Sequence, residues 1–100
     1  MDKHKTDVLF RKFKTGELIA IFPGIPGTNK WYKDCMSYMS CGHHGACDLS
    51  IINQTLKAKT EDIRDLVKEL EALGYNLNHI PRITKDHITM RKLEIERITS

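Results

Sequence analysis

The chain has 100 residues, a formal net charge of +3, 40% hydrophobic and 29% charged residues. That length suits one domain able to bury a core without disulfide or metal staples. The composition excludes a disordered, collagen-like or repeat protein. No window is apolar enough to cross a bilayer, and Met1-Asp2-Lys3-His4 does not begin a signal peptide. A cytoplasmic location and a single domain over residues 1–100 are the expectation, with a tail over 1–7. Cys35, Cys41 and Cys47 are an odd set without a secretion signal, so free thiols are expected. Charge is uneven: residues 1–33 carry seven Lys/Arg against three Asp/Glu, and residues 61–74 carry five acids against two bases. The basic first third is the better surface for an anion.

Val8-Leu9-Phe10-Arg11-Lys12-Phe13 and Glu17-Leu18-Ile19-Ala20-Ile21-Phe22 are two runs of strand formers. Lys14-Thr15-Gly16 joins them, so the pair reads as a β-hairpin with a positive φ at Gly16. Pro23 ends the second strand, and residues 23–30 form a Pro/Gly loop. Gly24 and Gly27 make no phosphate loop, because the fingerprints need a following helix and further residues that are missing. Trp31 and Tyr32 between Lys30 and Lys33 mix stacking surface with charge, as nucleotide sites do, or simply cover a sheet.

Met36-Ser37-Tyr38-Met39-Ser40 reads as a short strand. Residues 41–47 read as a tight turn or bulged strand, and residues 49–55 as a further strand. Thr60 is the expected N-cap of a helix with Glu61 and Asp62 at its positive end. Ile63, Leu66, Val67, Leu70 and Leu73 recur at helical spacing, and Gly74 stands at the C′ position. Residues 75–79 alternate as a strand that Pro81 places at an edge or terminates. Residues 84–100 are read as a terminal helix packing on this domain or on a neighbour. The predicted class is α+β: a small, mainly antiparallel sheet, an N-terminal β-hairpin plus one or two further strands, with the amphipathic helix and the C-terminal helix on one face.

Cys35, Cys41, His43, His44 and Cys47 are the densest set of reactive groups. Thiolate and imidazole suit zinc, but six residues along one strand separate side chains by roughly 20 Å. A metal would require the Gly42 and Gly45 turns to fold the segment back. The alternative is small buried thiols, and no zinc or other cofactor is expected. A Cys nucleophile paired with His43 or His44 is chemically reasonable, but no catalytic motif surrounds it. The imidazoles could instead contact a ligand, with the glycines permitting close approach, or lie solvated on a turn.

In order, Val8–Phe13, Gly16–Pro23, Cys35-Met36-Ser37-Tyr38, Gly42-His43-His44-Gly45-Ala46, Glu69-Leu70, Leu73-Gly74-Tyr75-Asn76-Leu77 and Arg82 resemble a family of small uncharacterised proteins from bacteriophages and bacterial mobile elements. The resemblance spans residues 8–83. The family pattern has Gln where His43 stands and does not require Cys41 or Cys47, which favours Tyr38, His44 and the glycines as site residues. It implies a phage-borne protein working in the host cytoplasm and supplies no activity.

The resulting expectation is a non-enzymatic binding protein, a counter-defence sponge that captures a nucleotide-like immune signal such as a cyclic nucleotide. This is an analogy of function and not of fold. The expected site is Tyr38, Gly42, His43, His44, Gly45 and Asp48, with Arg11 and Lys12 supplying positive charge if this segment pairs beside the hairpin. A chain this small offers little depth, so a homo-oligomer is expected to build the pocket. The alternatives are an inhibitor of a host protein or nucleic acid, and a small Cys/His-dependent or zinc-binding enzyme.

Overall fold

The computed structural model describes residues 5–27, 34–39 and 43–99, with His43, Ile98 and Thr99 described by backbone alone. Strands β1 (Lys5–Lys12), β2 (Leu18–Pro26), β3 (Asp34–Met39) and β4 (His43–Asp48) come first. A 3₁₀ helix (Leu49–Gln54), β5 (Leu56–Lys57), α1 (Thr60–Ala72), β6 (Asn76–His79) and α2 (Lys85–Thr99) follow. The sheet order is β4-β3-β2-β1-β5, with β6 also on β1. Every pairing is antiparallel except β1–β6. The class is α+β, as the hydrophobic patterning predicts.

The β1–β2 connection is set by Gly16, whose φ of +96° is a conformation that glycine adopts without steric cost. Phe13 N–H donates to Glu17 O at 2.8 Å and Gly16 N–H to Phe13 O at 2.9 Å, closing the hairpin. β2 runs past Pro23 to Pro26, contrary to the expected stop. A register shift between Phe22 and Pro26 absorbs the prolines, as a bulge can. Gly27 follows, and a Cβ there would lie 2.6 Å from Ala46 Cβ, so glycine lets β2 end against β4.

Strand alternation divides the apolar residues between two faces. Val8, Phe10, Ala20, Phe22 and Tyr38 form one core with Ile63, Leu66 and Leu70 of α1. Leu9, Ile19, Ile21, Cys35 and Cys47 form the other. Leu49, Ile51 and Ile52 of the 3₁₀ helix cover this second face, with Ile80 and Ile83. Both faces are therefore covered, where the sequence places the helices on one.

α1 starts one residue earlier than its Thr60 signal implies. Lys59 is the N-cap, and the Asp62 carboxylate accepts from Lys59 N–H at 3.3 Å. At the other end, Tyr75 N–H donates to Leu70 O and Gly74 N–H to Glu71 O, with Gly74 at φ +104°. That is a Schellman ending, as expected for a C′ glycine. Leu73, predicted on the buried stripe, is the C-cap residue and is 55% exposed.

α2 is held to its own chain by polar anchors. The Arg91 guanidinium, 1% exposed, donates to Pro23 O at 2.6 Å. His87 Nδ1 accepts from Thr84 N–H at 2.9 Å, which leaves the proton on Nε2 to be donated to Asp7 at 2.9 Å. Asp7 also accepts from the Asn78 amide at 2.8 Å, tying β1, β6 and α2 together.

This junction sets an expected pH response. The Asn78 amide, followed by His87, holds the Asp7 carboxyl below its ordinary value of 3.8 against an opposing effect of burial. A lowered folded value means that the unfolded chain binds the proton more readily. The stabilisation is therefore full above the ordinary value and is lost as pH falls through the lower, folded one. The difference in urea midpoint between wild type and Asp7→Asn should be constant near neutrality and shrink as pH falls below the ordinary value of 3.8. A difference that does not change on acidification below that value would contradict the assigned role.

Candidate functional site

Residues 34–54 build the site. β3 and β4 pair with Cys35 opposite Cys47, Ser37 opposite Gly45, and Tyr38 opposite His44. The segment expected to be a turn or bulge is thus the edge strand of the sheet. Asp48 then redirects the chain: its Oδ1 accepts from Ser50 N–H at 2.8 Å and caps the 3₁₀ helix. That bond, with a second from the Ser50 hydroxyl, holds the Asp48 carboxyl below its ordinary range. The predicted third strand over 49–55 is this helix. Its run Leu49, Ile51, Ile52 has no strand alternation to enforce extension, and Asp48 supplies a cap.

Between the 3₁₀ helix and the β3–β4 pair lies a pocket of about 440 Å³. Phe13, Ile19, Met39 and Ile51 give it apolar walls, Ser37, Ser50, Gln54 and Asp48 give it polar groups, and Gly45 and Cys47 lie against it. Ser37 Oγ donates to Gly45 O at 2.9 Å and fixes the β3–β4 side. No Lys or Arg is among the described residues that line it. A Cβ on Gly45 would meet nothing within 4 Å, so this position opens onto free space.

Tyr38 and His44 are brought together as expected, but alternation puts them on the opposite, α1-covered face. Their rings meet edge-on at 4.6 Å, and His44 Nε2 is 2.8 Å from the Tyr75 hydroxyl. Tyr75 stacks on Phe22 at 4.9 Å, and burial pushes its hydroxyl up. The Tyr38 hydroxyl donates to the Glu69 carboxylate. Tyr38 is 4% exposed and engaged on both ring edge and hydroxyl, so it offers no stacking face to a ligand.

Arg11 and Lys12 do not face this segment. β4 lies three strands from β1, roughly 14 Å across the ladder. Arg11 closes the end of the 3₁₀ helix instead, donating to Ile52 O, Thr55 O and Thr55 Oγ1 at 2.9, 2.6 and 3.0 Å. Lys12 Nζ stands 3.5 Å from Asp62. Gly42, Cys41 and the Lys30–Lys33 aromatic stretch lie outside the described residues, as does the His43 side chain. Of the expected site, His44, Gly45 and Asp48 border the pocket, with the His44 ring turned onto Tyr38 and Tyr75.

The cysteines depart most from the linear reading. Spacing along one strand separates them, but the β3–β4 hairpin sets Cys35 and Cys47 as cross-strand partners with sulfurs 3.8 Å apart. Both are free thiols. Among the described residues, no group of three His, Cys, Asp or Glu side chains could hold a metal ion. Ser37, Ser50 and Gln54 also line the pocket and carry no sequence signal of their own; the Asp48-Leu49-Ser50 cap is a local sign of the turn that gathers them.

No family model matches the chain, and neither a curated protein nor a solved structure shows a significant likeness to it.

Proposed function

We propose that the chain is a non-enzymatic binding protein that takes the base of a nucleotide-like ligand into the pocket between the 3₁₀ helix and β3–β4. The pocket itself carries this reading: about 440 Å³, within the range of small-molecule sites, apolar on its walls and with a few convergent polar groups. A heterocyclic base presents flat apolar faces to Phe13, Met39 and Ile51. Its ring-edge donors and acceptors match the hydroxyls of Ser37 and Ser50 and the amide of Gln54, and an exocyclic amine matches Asp48. With no Lys or Arg among the described lining, the base enters and the phosphate stays outside. In a phage setting such a protein is a sponge for a nucleotide immune signal. The second part of the proposal is a homodimer through β4, the edge strand of the sheet among the described residues, whose outer backbone groups can pair with a second copy and bring two pockets side by side.

The test is calorimetric titration of adenosine, cytidine and their cyclic monophosphates. Wild type binds, and Gly45→Leu, which fills the free space, weakens binding at least about tenfold with its melting temperature kept. His44→Ala binds as wild type does, because the His44 ring is engaged by Tyr38 and Tyr75 on the other side of the strand. No heat with any of these compounds, or loss in His44→Ala with retention in Gly45→Leu, would remove the assignment. Sedimentation velocity of wild type is expected to show a dimer; a monomer throughout the micromolar range would remove the second part.

A further inference from the structure

The floor of this pocket carries a pair of thiols that base binding does not use. Cys35 and Cys47 face each other across β3 and β4, their sulfurs 3.8 Å apart. Directly opposed strand residues have Cα separations of roughly 4.5–5.5 Å, inside the range a disulfide spans. Only a small approach of the sulfurs separates the dithiol from a bond. The two are not equivalent. Cys47 lines the pocket and keeps 8% of its surface exposed, whereas Cys35 is fully buried beneath it.

We propose that Cys35 and Cys47 form a redox-active dithiol that is oxidised stoichiometrically by small neutral or cationic disulfides entering the pocket. Cys47 attacks first, because it alone is reached from the pocket. Its sulfur bonds to one sulfur of the incoming disulfide, the original S–S bond breaks, and the first thiol leaves with the Cys47 proton. Cys35 Sγ then attacks Cys47 Sγ. The cross-strand S–S bond forms, the mixed disulfide breaks, and the second thiol leaves with the Cys35 proton. The protein loses two electrons and two protons, and the small disulfide becomes two thiols.

Two further observations agree with that order. The thiol of Cys35, beside Cys47, and the Ser37 hydroxyl favour the Cys47 thiolate against burial and the Asp34 and Asp48 carboxylates, while Cys35 is pushed up by Cys47 and by burial. Arg91 opposes that rise in Cys35 and so assists the second step. The charge preference follows from the pocket, where Asp48 and no Lys or Arg is among the described lining residues.

The experiment uses the full chain with Cys41→Ser, so that only this pair reports, and the probe is cystamine, a cationic disulfide. Mass spectrometry of the folded protein is expected to show loss of two hydrogen atoms with no adduct, reversed by dithiothreitol. Adding Cys35→Ser should stall the reaction at one cysteamine adduct on Cys47. Adding Cys47→Ser instead should slow reaction at the remaining thiol by at least about tenfold, since access and thiolate fraction both fall. Glutathione disulfide, which is anionic, should react more slowly than cystamine. Unchanged melting temperatures before treatment show that each variant is folded, and a variant that melts early is replaced by the corresponding Cys→Ala. A folded Cys41→Ser chain that stays reduced, or an adduct preferentially on Cys35, or faster reaction with glutathione disulfide, would overturn the proposal. None of these results depends on whether a nucleoside binds.

Discussion

Leu70→Ala is expected to destabilise the protein by about 2–5 kcal/mol, the range for a buried leucine whose cavity does not collapse. Leu70 is fully buried where α1 meets Val8, Phe10 and Phe22. It also anchors the helix end, since its carbonyl accepts from Leu73 and Tyr75. The substitution keeps those backbone bonds, so the loss reports packing on the α1 face of the sheet. Urea unfolding at neutral pH measures it. A change under about 0.5 kcal/mol would be that of a surface position and would refute this packing. Leu73→Ala is the internal comparison: the same side chain three residues on, mostly exposed, should cost far less.

The second large effect is expected at Arg91. A buried guanidinium is retained only when its donors are satisfied, and removal leaves both a cavity and an acceptor without its charged donor. Arg91→Ala should cost about 3 kcal/mol, combining a charged hydrogen bond to Pro23 O with lost packing of the aliphatic stem. Arg91→Lys should recover part of this, because ammonium supplies charge without the planar fork. Equal midpoints for wild type and Arg91→Ala in urea unfolding would show that α2 docks without this anchor.

These two positions also show where the sequence is informative. α1 is legible because Ile63, Leu66 and Leu70 repeat at the helical period and Gly74 marks the end, all local signals. The β1–β2 hairpin is legible for the same reason. α2 is legible as a terminal helix, but its docking is not: its docking groups are Arg91 and His87, polar residues that an apolar pattern passes over, while Leu93 on the same helix is 59% exposed. β6 joins β1 in parallel, a pairing between distant segments that no local rule announces. At the site, Tyr38 and His44 meet each other, and period-two alternation puts their side chains on the face opposite Cys47. Linear spacing set Cys35 and Cys47 apart because it takes no account of the reversal between β3 and β4. Arg11 and Lys12 look like available charge in the linear sequence, but their partners at Ile52, Thr55 and Asp62 are more than forty residues away.

The position of β1 has a consequence for the order of folding. Its edge towards β2 is completed by a neighbour in sequence, through a turn that closes quickly. Its other edge is shared by β5 and β6, and the Asn78–Asp7 bond there joins residues 71 apart. Closing a loop of that length costs about 4 kcal/mol of chain entropy before the parallel ladder returns any contact. The hairpin is therefore expected to form before the main barrier and β6 to dock after it. Substitutions in the β1–β6 seam should accelerate unfolding while leaving the refolding rate nearly unchanged, whereas those in the β1–β2 turn should slow refolding.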